Sequence, residues 1–220
     1  AGYAHSSAVD DVGRVWVWGW LSSSQGGSVE DFSSVPVPLV MPSGVEFVTA
    51  SQGGSAQLAL DSDGRAWGWN GVFGSIGAGE AGVVAPVPRS VAIEPEVQFR
   101  YVEGGPWRGL GADEQGRVWQ WGLVPLRWET VERGESSYSS TMLMDVLRRP
   151  EQVDAPDGVS FDAVSAGHFH SLALDEGGSA WSWGENVEGQ LGNGSRSREH
   201  GAISVALGRV SMPDGISFDA

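Results

Sequence analysis

From Val159 to Val164 the chain alternates apolar and polar residues, Val-Ser-Phe-Asp-Ala-Val, the period of a strand with one buried face. Gly167 ends that segment, and Ser171-Leu172-Ala173-Leu174 reads as a second strand. Asp175-Glu176-Gly177-Gly178 between it and the next apolar run has hairpin composition, with Asp opening the turn and Gly where positive φ is wanted. Ala180-Trp181-Ser182-Trp183 is the third strand and places both indoles on one face. The Gly-rich stretch Gly189-Gln190-Leu191-Gly192-Asn193-Gly194 then carries the chain onward. A weaker fourth strand is expected near proline-marked segments such as Val35-Pro36-Val37-Pro38. Proline cannot donate to a central ladder, so that strand belongs at a sheet edge.

The same pattern recurs. Trp-x-Trp occurs at Trp16/Trp18, Trp67/Trp69, Trp119/Trp121 and Trp181/Trp183, at intervals of 51, 52 and 62 residues. A glycine stands three residues before each pair (Gly13, Gly64, Gly116, Gly178) and another eleven residues earlier (Gly2, Gly53, Gly105, Gly167). An aspartate lies between the two glycines in every copy: Asp10, Asp61, Asp113 and Asp175. Such a register predicts an all-β fold, a β-propeller or partial propeller of four-stranded blades in four repeats of about 50 residues. The expected organisation is a single array over 1–220 with blades at 1–44, 45–96, 97–157 and 158–213, and 214–220 starting or closing a further blade. A lone blade cannot cover its own faces and must stack on its neighbours. The paired Trp would fill the space between blades, and the small residues Ala59, Gly111 and Ala173 would let inner strands crowd around an axis.

Composition narrows the function classes. There is no cysteine, which removes a disulfide framework, thiolate catalysis and cysteine zinc sites while leaving the compartment, cytoplasmic or secreted, open. Acidic residues number 28 against 13 basic ones, all arginine, for a net charge of −15. That charge opposes nucleic-acid binding and repels anionic membranes, and no apolar run reaches the roughly 20 residues a bilayer span needs. The lack of lysine points to a GC-rich bacterial genome.

With those residues in view, the chain resembles the regulator of chromosome condensation repeat family. The fourth copy carries the resemblance most fully, in Ala166-Gly167-His168-Phe169-His170-Ser171-Leu172-Ala173-Leu174-Asp175, Trp181-Ser182-Trp183-Gly184, Asn186 and Gly189-Gln190-Leu191-Gly192. The first keeps Ala1-Gly2-Tyr3-Ala4-His5-Ser6 and Trp18-Gly19, and the second keeps Leu58-Ala59-Leu60-Asp61 with Gly74-Ser75-Ile76-Gly77 in place of Gly-Gln-Leu-Gly. The third diverges most, with Trp107-Arg108 in the histidine region. The resemblance implies a propeller that typically has seven blades, so four repeats imply a piece of a longer array. The ending Pro213–Ala220 repeats Pro156–Ala163, the start of the fourth copy, and supplies a blade's first strand; closure onto the first blade is the other reading.

Most candidate chemistry reduces to structure. His5 and His170 share one repeat position and are expected at a turn, bonding the backbone. His170, Ser171 and Asp175 are near neighbours on one strand and cannot converge as a triad. Asp61-Ser62-Asp63-Gly64 opens like a calcium loop, but Val72 stands where the twelfth-position acid belongs. The expectation is therefore no enzyme, no metal and no cofactor. The exception is an insert at 123–149 in the third repeat, carrying Arg127, Trp128, Arg133, Tyr138, Met142, Met144, Arg148 and Arg149. As a tolerated insertion it would form a short helix over Thr141–Leu147 on the blade edge. As a functional loop it offers the Trp, Tyr, Met and Arg that enrich protein interfaces. The candidate partner-binding residues are Trp20, Trp107, Arg127, Trp128, Tyr138 and Met142. The expected function is a non-catalytic protein-protein interaction module within a larger bacterial protein, its partner presenting a basic surface, with self-association through open blade edges if the chain is a piece. The resemblance implies two alternatives: a guanine-nucleotide exchange factor-like regulator of a small GTPase, and a secreted hydrolase inhibitor.

Overall fold

A computed structural model describes residues 2, 4–21, 32–54, 57–71, 75–79, 87–132, 138–196, 203–213 and 215–218. Their strands form four antiparallel sheets, each a meander in chain order. The first contains β1 (His5–Val9), β2 (Val15–Trp20) and β3 (Phe32–Pro38). The second contains β4 (Phe47–Gln52), β5 (Gln57–Asp61), β6 (Ala66–Trp69) and β7 (Arg89–Ser90). In the third are β8 (Phe99–Gly104), β9 (Arg108–Asp113), β10 (Val118–Glu132) and β11 (Tyr138–Gln152). The fourth holds β12 (Phe161–Ala166), β13 (His170–Asp175), β14 (Ala180–Glu185) and β15 (Ile203–Arg209). The sheets are propeller blades. Three are four-stranded, and the first is three-stranded among the described residues. Val35-Pro36-Val37-Pro38 is the edge strand the prolines required, outermost in its blade.

Each blade after the first lays its leading strand against its predecessor: β4 on β1, β8 on β5 and β12 on β9, while β8 also touches β4 and β12. Thus β4, β8 and β12 are innermost. Ala59, Gly111 and Ala173 lie one strand further out, on β5, β9 and β13, which corrects the expectation that they crowd an axis. Each instead sits directly across from the first Trp of its pair: Trp67, Trp119 and Trp181. A larger residue there would meet the phenylalanine of the innermost strand; a Cβ at Gly111 would stand 2.6 Å from the Phe99 ring. Phe47 meets Trp67 and Phe161 meets Trp181 edge-on, with centroids 6.0 and 6.1 Å apart.

Apolar burial is divided among the interfaces. Val15, Val17, Leu39, Phe47 and Trp69 join the first two blades. Leu58, Val91, Phe99, Val102 and Trp121 join the second and third, and Leu110, Val118, Phe161, Val164 and Trp183 the third and fourth. No blade owns a core, the condition under which only stacked repeats are stable. In blades 2 to 4 the second Trp of the pair is the more deeply buried (Trp69 and Trp121 at 0%, Trp183 at 2%), while Trp16 and Trp18 of blade 1 are both half-buried.

One latch repeats at every junction. The hairpin glycine carbonyl of one blade accepts from the phenylalanine amide of the next: Phe47 to Gly13 at 2.9 Å, Phe99 to Gly64 at 2.7 Å and Phe161 to Gly116 at 3.0 Å. Phe218 bonds Gly178 in the same way at 3.0 Å, so Ile216–Phe218 lies along blade 4 where a following blade's leading strand would run. These glycines have φ of 72–76° and leave no room for a Cβ against the next blade, so conformation and space select the same residue.

The insert corrects a second expectation. Thr141–Leu147 is no helix; it belongs to β11, which pairs with β10 as the two arms of a long hairpin. Leu123 pairs with Val146, Val124 with Asp145 and Trp128 with Met142, with irregularities between Gln120 and Gly122 and between Pro125 and Arg127. Cross-strand pairing over this length overrides the local helix preference of Met and Leu.

Candidate functional site

The repeated aspartate organises each hairpin. Its Oδ1 accepts from two turn amides, and its Oδ2 accepts from the indole Nε1 of the first Trp, six residues on. The indole bond is 2.9 Å in Asp10–Trp16 and Asp61–Trp67 and 2.8 Å in Asp113–Trp119 and Asp175–Trp181. Asp61-Ser62-Asp63-Gly64 is thereby a hairpin turn whose carboxylate is committed to its own blade.

These bonds set acid sensitivity. The Trp16 bond, against a burial cost and with help from Arg14 and Val12, holds the Asp10 carboxyl far below the usual range. In Asp175 burial pushes upward, but donors from Trp181, Ser179 and Gly177 outweigh it and the net shift is downward. A carboxyl depressed in the fold binds fewer protons than in the unfolded chain. Its contribution is complete above the unfolded value, about 4, and is lost as pH falls toward the folded value. Stability is therefore expected to drop steadily below about pH 4, and Asp175→Asn to flatten that slope in urea titrations at a series of pH values. A slope unchanged by the substitution would show that Asp175 is not a source of it.

His5 and His170 bond the backbone through their own carbonyls, and no described backbone bond is made by their rings. The ring packs over the preceding glycine, Gly2 or Gly167, and the residue's own carbonyl accepts that glycine's amide at 2.8 and 3.0 Å. Burial lowers both pKa values, and the charge of Arg108 adds to the effect at His170. His170, Ser171 and Asp175 stay on β13 and form no triad.

Two rims differ in chemistry. On the hairpin-turn rim four arginines are tied to aspartates: Arg14–Asp10 at 2.7 Å, Arg65–Asp63 at 3.1 Å, Arg117–Asp113 at 2.7 Å and Arg100–Asp162 at 2.8 Å; Arg209 instead donates to the Ser179 hydroxyl at 2.6 Å. Antiparallel order puts Trp20, at the end of β2, and Trp107, between β8 and β9, on the opposite rim, where the hairpin leaves its blade. Trp20 is half exposed and lies across from Phe32, which is 78% exposed; no repeat position signalled that second ring. Trp107 is partly buried, its Nε1 3.4 Å from His168 Nε2, and its carbonyl accepts from Leu123 at the hairpin root. Arg127, Trp128, Tyr138 and Met142 all lie on the hairpin. Met142 is half-buried, while the side chains of Arg127, Trp128 and Tyr138, and all of Arg133, lie outside the described residues.

The root of the hairpin spans three blades. Gly79 of blade 2 donates to the Arg148 carbonyl at 2.8 Å. On the other side Val124, Pro125, Leu126 and Leu147 meet Trp183 and Gly184 of blade 4 around a cleft of about 160 Å³, also lined by Arg108, Gln120, Asp145 and Glu151. Arg108 occupies the position held by His5, Ala56 and His170 in the other copies. It is 1% exposed; its Nη2 donates to the carbonyls of Gly167 and His170, and its Nε has no acceptor among the described residues. Burial lowers its pKa to about 10, so the guanidinium is charged at neutral pH. Trp183 Nε1 donates to Gln120 Oε1 at 3.1 Å beside it. Sequence reasoning registered the replacement Trp107-Arg108 but not this burial.

Fold and rims together define a β-propeller built from repeat blades, one of which carries a projecting hairpin. Residues 161–190 match the Regulator of chromosome condensation (RCC1) repeat. The chain is 27% identical over 199 residues to the human E3 ubiquitin-protein ligase HERC2, covering 89% of this chain and 4% of that one. In three dimensions it is similar to human WBSCR16 (TM-score 0.76, 22% identity, 97% of this chain and 52% of that one). Yeast RCC1 (Prp20), seen bound to Kap60, is also similar (TM-score 0.74, 18% identity, 99% of this chain and 49% of that one). The chain therefore spans about half the length of these solved propellers and a small part of HERC2.

Proposed function

We propose that this chain is a non-catalytic protein-docking module whose contact surface is the rim bearing the β10–β11 hairpin. The observation that carries the reading is the hairpin itself. Its strands run 15 residues, about 50 Å at 3.3 Å per residue, where the strands of the other blades have at most seven. Pairing of β9 with β10 ends at Arg108–Gly122 and the Leu123 amide still bonds Trp107, so among the described residues β10 pairs from Val124 outward with β11 alone. An unpaired edge with exposed Leu126 (46%) and Val146 (36%) suits strand addition or apolar capture of a partner segment. The net charge of −15, with four turn-rim arginines already paired to aspartates, would steer a basic partner toward the molecule, and that steering weakens with salt. Yeast RCC1 (Prp20), which shares this fold, is seen bound to Kap60.

The test replaces residues 127–141 with an Asn-Gly turn joining Leu126 to Met142, which leaves the root intact. A partner isolated on the intact chain and then purified is expected to bind the shortened chain at least tenfold more weakly, about 1.4 kcal/mol, at unchanged melting temperature. Equal binding would move docking off the hairpin. Acceleration of nucleotide release from a small GTPase by the intact chain would replace simple docking with exchange, and tight inhibition of a hydrolase would replace it with inhibitor function.

A further inference from the structure

We propose that the cleft between blades 3 and 4 binds a small free α-amino acid as its zwitterion, with the carboxylate toward Arg108, the ammonium toward Asp145 and Glu151, and an aliphatic side chain against Val124, Leu147 and Trp183. The proposal does not rest on the docking reading, although Leu126 borders both surfaces. Two departures from the repeat create it, and both belong to the third copy. Arg108 replaces the uncharged Ala56 and the histidines His5 and His170, and the hairpin root supplies the wall opposite blade 4.

The chemistry follows from where the charges lie. Arg108 is a fully buried cation whose described acceptors are two neutral carbonyls at Nη2, and no described carboxylate forms an ion pair with it. A buried charge calls for a counter-charge and filled hydrogen-bond positions, Nε has no acceptor among the described residues, and a carboxylate in the cleft that Arg108 lines would supply the counter-charge. Asp145 and Glu151 are exposed and stand in none of the described ion pairs; Asp145 Oδ1 accepts the Val146 amide at 2.7 Å. A simple anion meets these two carboxylates on entry, and a simple amine meets the guanidinium at the floor. Only a molecule carrying both charges about one bond apart from a shared carbon satisfies both ends. The cleft, about 160 Å³, is of the size that holds a six-atom ring, which suits a short aliphatic amino acid.

Isothermal titration with L-valine tests the assignment, beside N-acetyl-L-valine, which lacks the ammonium, and isobutylamine, which lacks the carboxylate. Saturable binding of valine is expected, with both analogues at least tenfold weaker. Arg108→Gln should abolish binding, but Arg108 also ties blade 3 to blade 4, so a second variant is needed. Asp145→Asn with Glu151→Gln changes two exposed groups; it should leave the melting temperature unchanged and weaken valine at least tenfold while N-acetyl-L-valine binds no worse. No saturable valine binding up to about 10 mM, the weak limit of specific recognition, overturns the proposal. Equal affinity for valine and N-acetyl-L-valine also overturns it, in favour of a peptide carboxyl terminus.

Discussion

Asp113→Ala is expected to lower the unfolding free energy by about 3 kcal/mol, with the loss read from urea denaturation midpoints at constant slope. The Asp113 carboxylate is fully buried and accepts four bonds: Gln115 amide at 3.0 Å, Arg117 amide at 2.8 Å, Arg117 Nε at 2.7 Å and Trp119 Nε1 at 2.8 Å. Alanine leaves the donors without an acceptor, and Trp119, 8% exposed, has little access to water that could replace it. The guanidinium of Arg117, 5.3 Å over the Trp119 ring, loses the group that fixes its direction. Asn is no rescue, because its amide would face the Arg117 and Trp119 donors with a donor of its own. The same substitution at Asp10 removes an equivalent set of bonds, to Val12, Arg14 and Trp16, but at a more open site in blade 1, and a smaller loss is expected there. Equal losses at the two sites would mean that burial adds nothing to the clamp and that its value lies wholly in shaping the turn.

That clamp was half legible in the sequence. The aspartate stood out in all four copies, and its role as a turn opener was correct for Asp61 and Asp175. Its bond to the indole six residues on was not foreseen, although the constant spacing of Asp10 to Trp16 and of Asp113 to Trp119 contained it. The blade pattern was legible because alternation, turn glycines and Trp pairs are set within single strands and recur four times. What lies between strands from different blades was not. The buried second Trp and the exposed Phe32 depend on which neighbour covers each face. The β10–β11 hairpin was missed because Thr141–Leu147 has no clear period and is rich in Met and Leu; what decides its form is pairing with Leu123–Glu132. Two apolar runs flanking the polar stretch Glu132–Ser137, with Gly134 inside it, were the available signal for a turn between strands. Arg108 was noticed as a departure from histidine, but its burial depends on blade 4 and on the hairpin root, both distant in sequence.

Gly109→Ala should cost about 3 kcal/mol, for a reason of space rather than conformation. Gly109 lies on β9 between Gly104 and Trp121, and a Cβ placed on it would fall within the Trp121 indole. The ring has little freedom to yield. It is 0% exposed, stands 6.0 Å from Phe99, and donates through Nε1 to the Ser75 carbonyl of blade 2 at 2.9 Å. Moving it breaks a bond across the blade 2–blade 3 interface and disturbs the apolar cluster that joins them. Trp121→Leu alone should also cost about 3 kcal/mol, through lost burial and the cavity left behind. The two effects share one volume, so the double variant is expected to lose clearly less than the sum, with a coupling of at least about 1 kcal/mol. Additive losses would show that the new methyl strains the backbone and not the ring. Tolerance of Gly109→Ala within about 0.5 kcal/mol would show that the indole can shift and that the junction between blades 2 and 3 is plastic. The hairpin crosses that junction through Gly79 and Arg148, so such plasticity would give it a hinge at its root; the expected loss instead makes it a rigid arm on a rigid base.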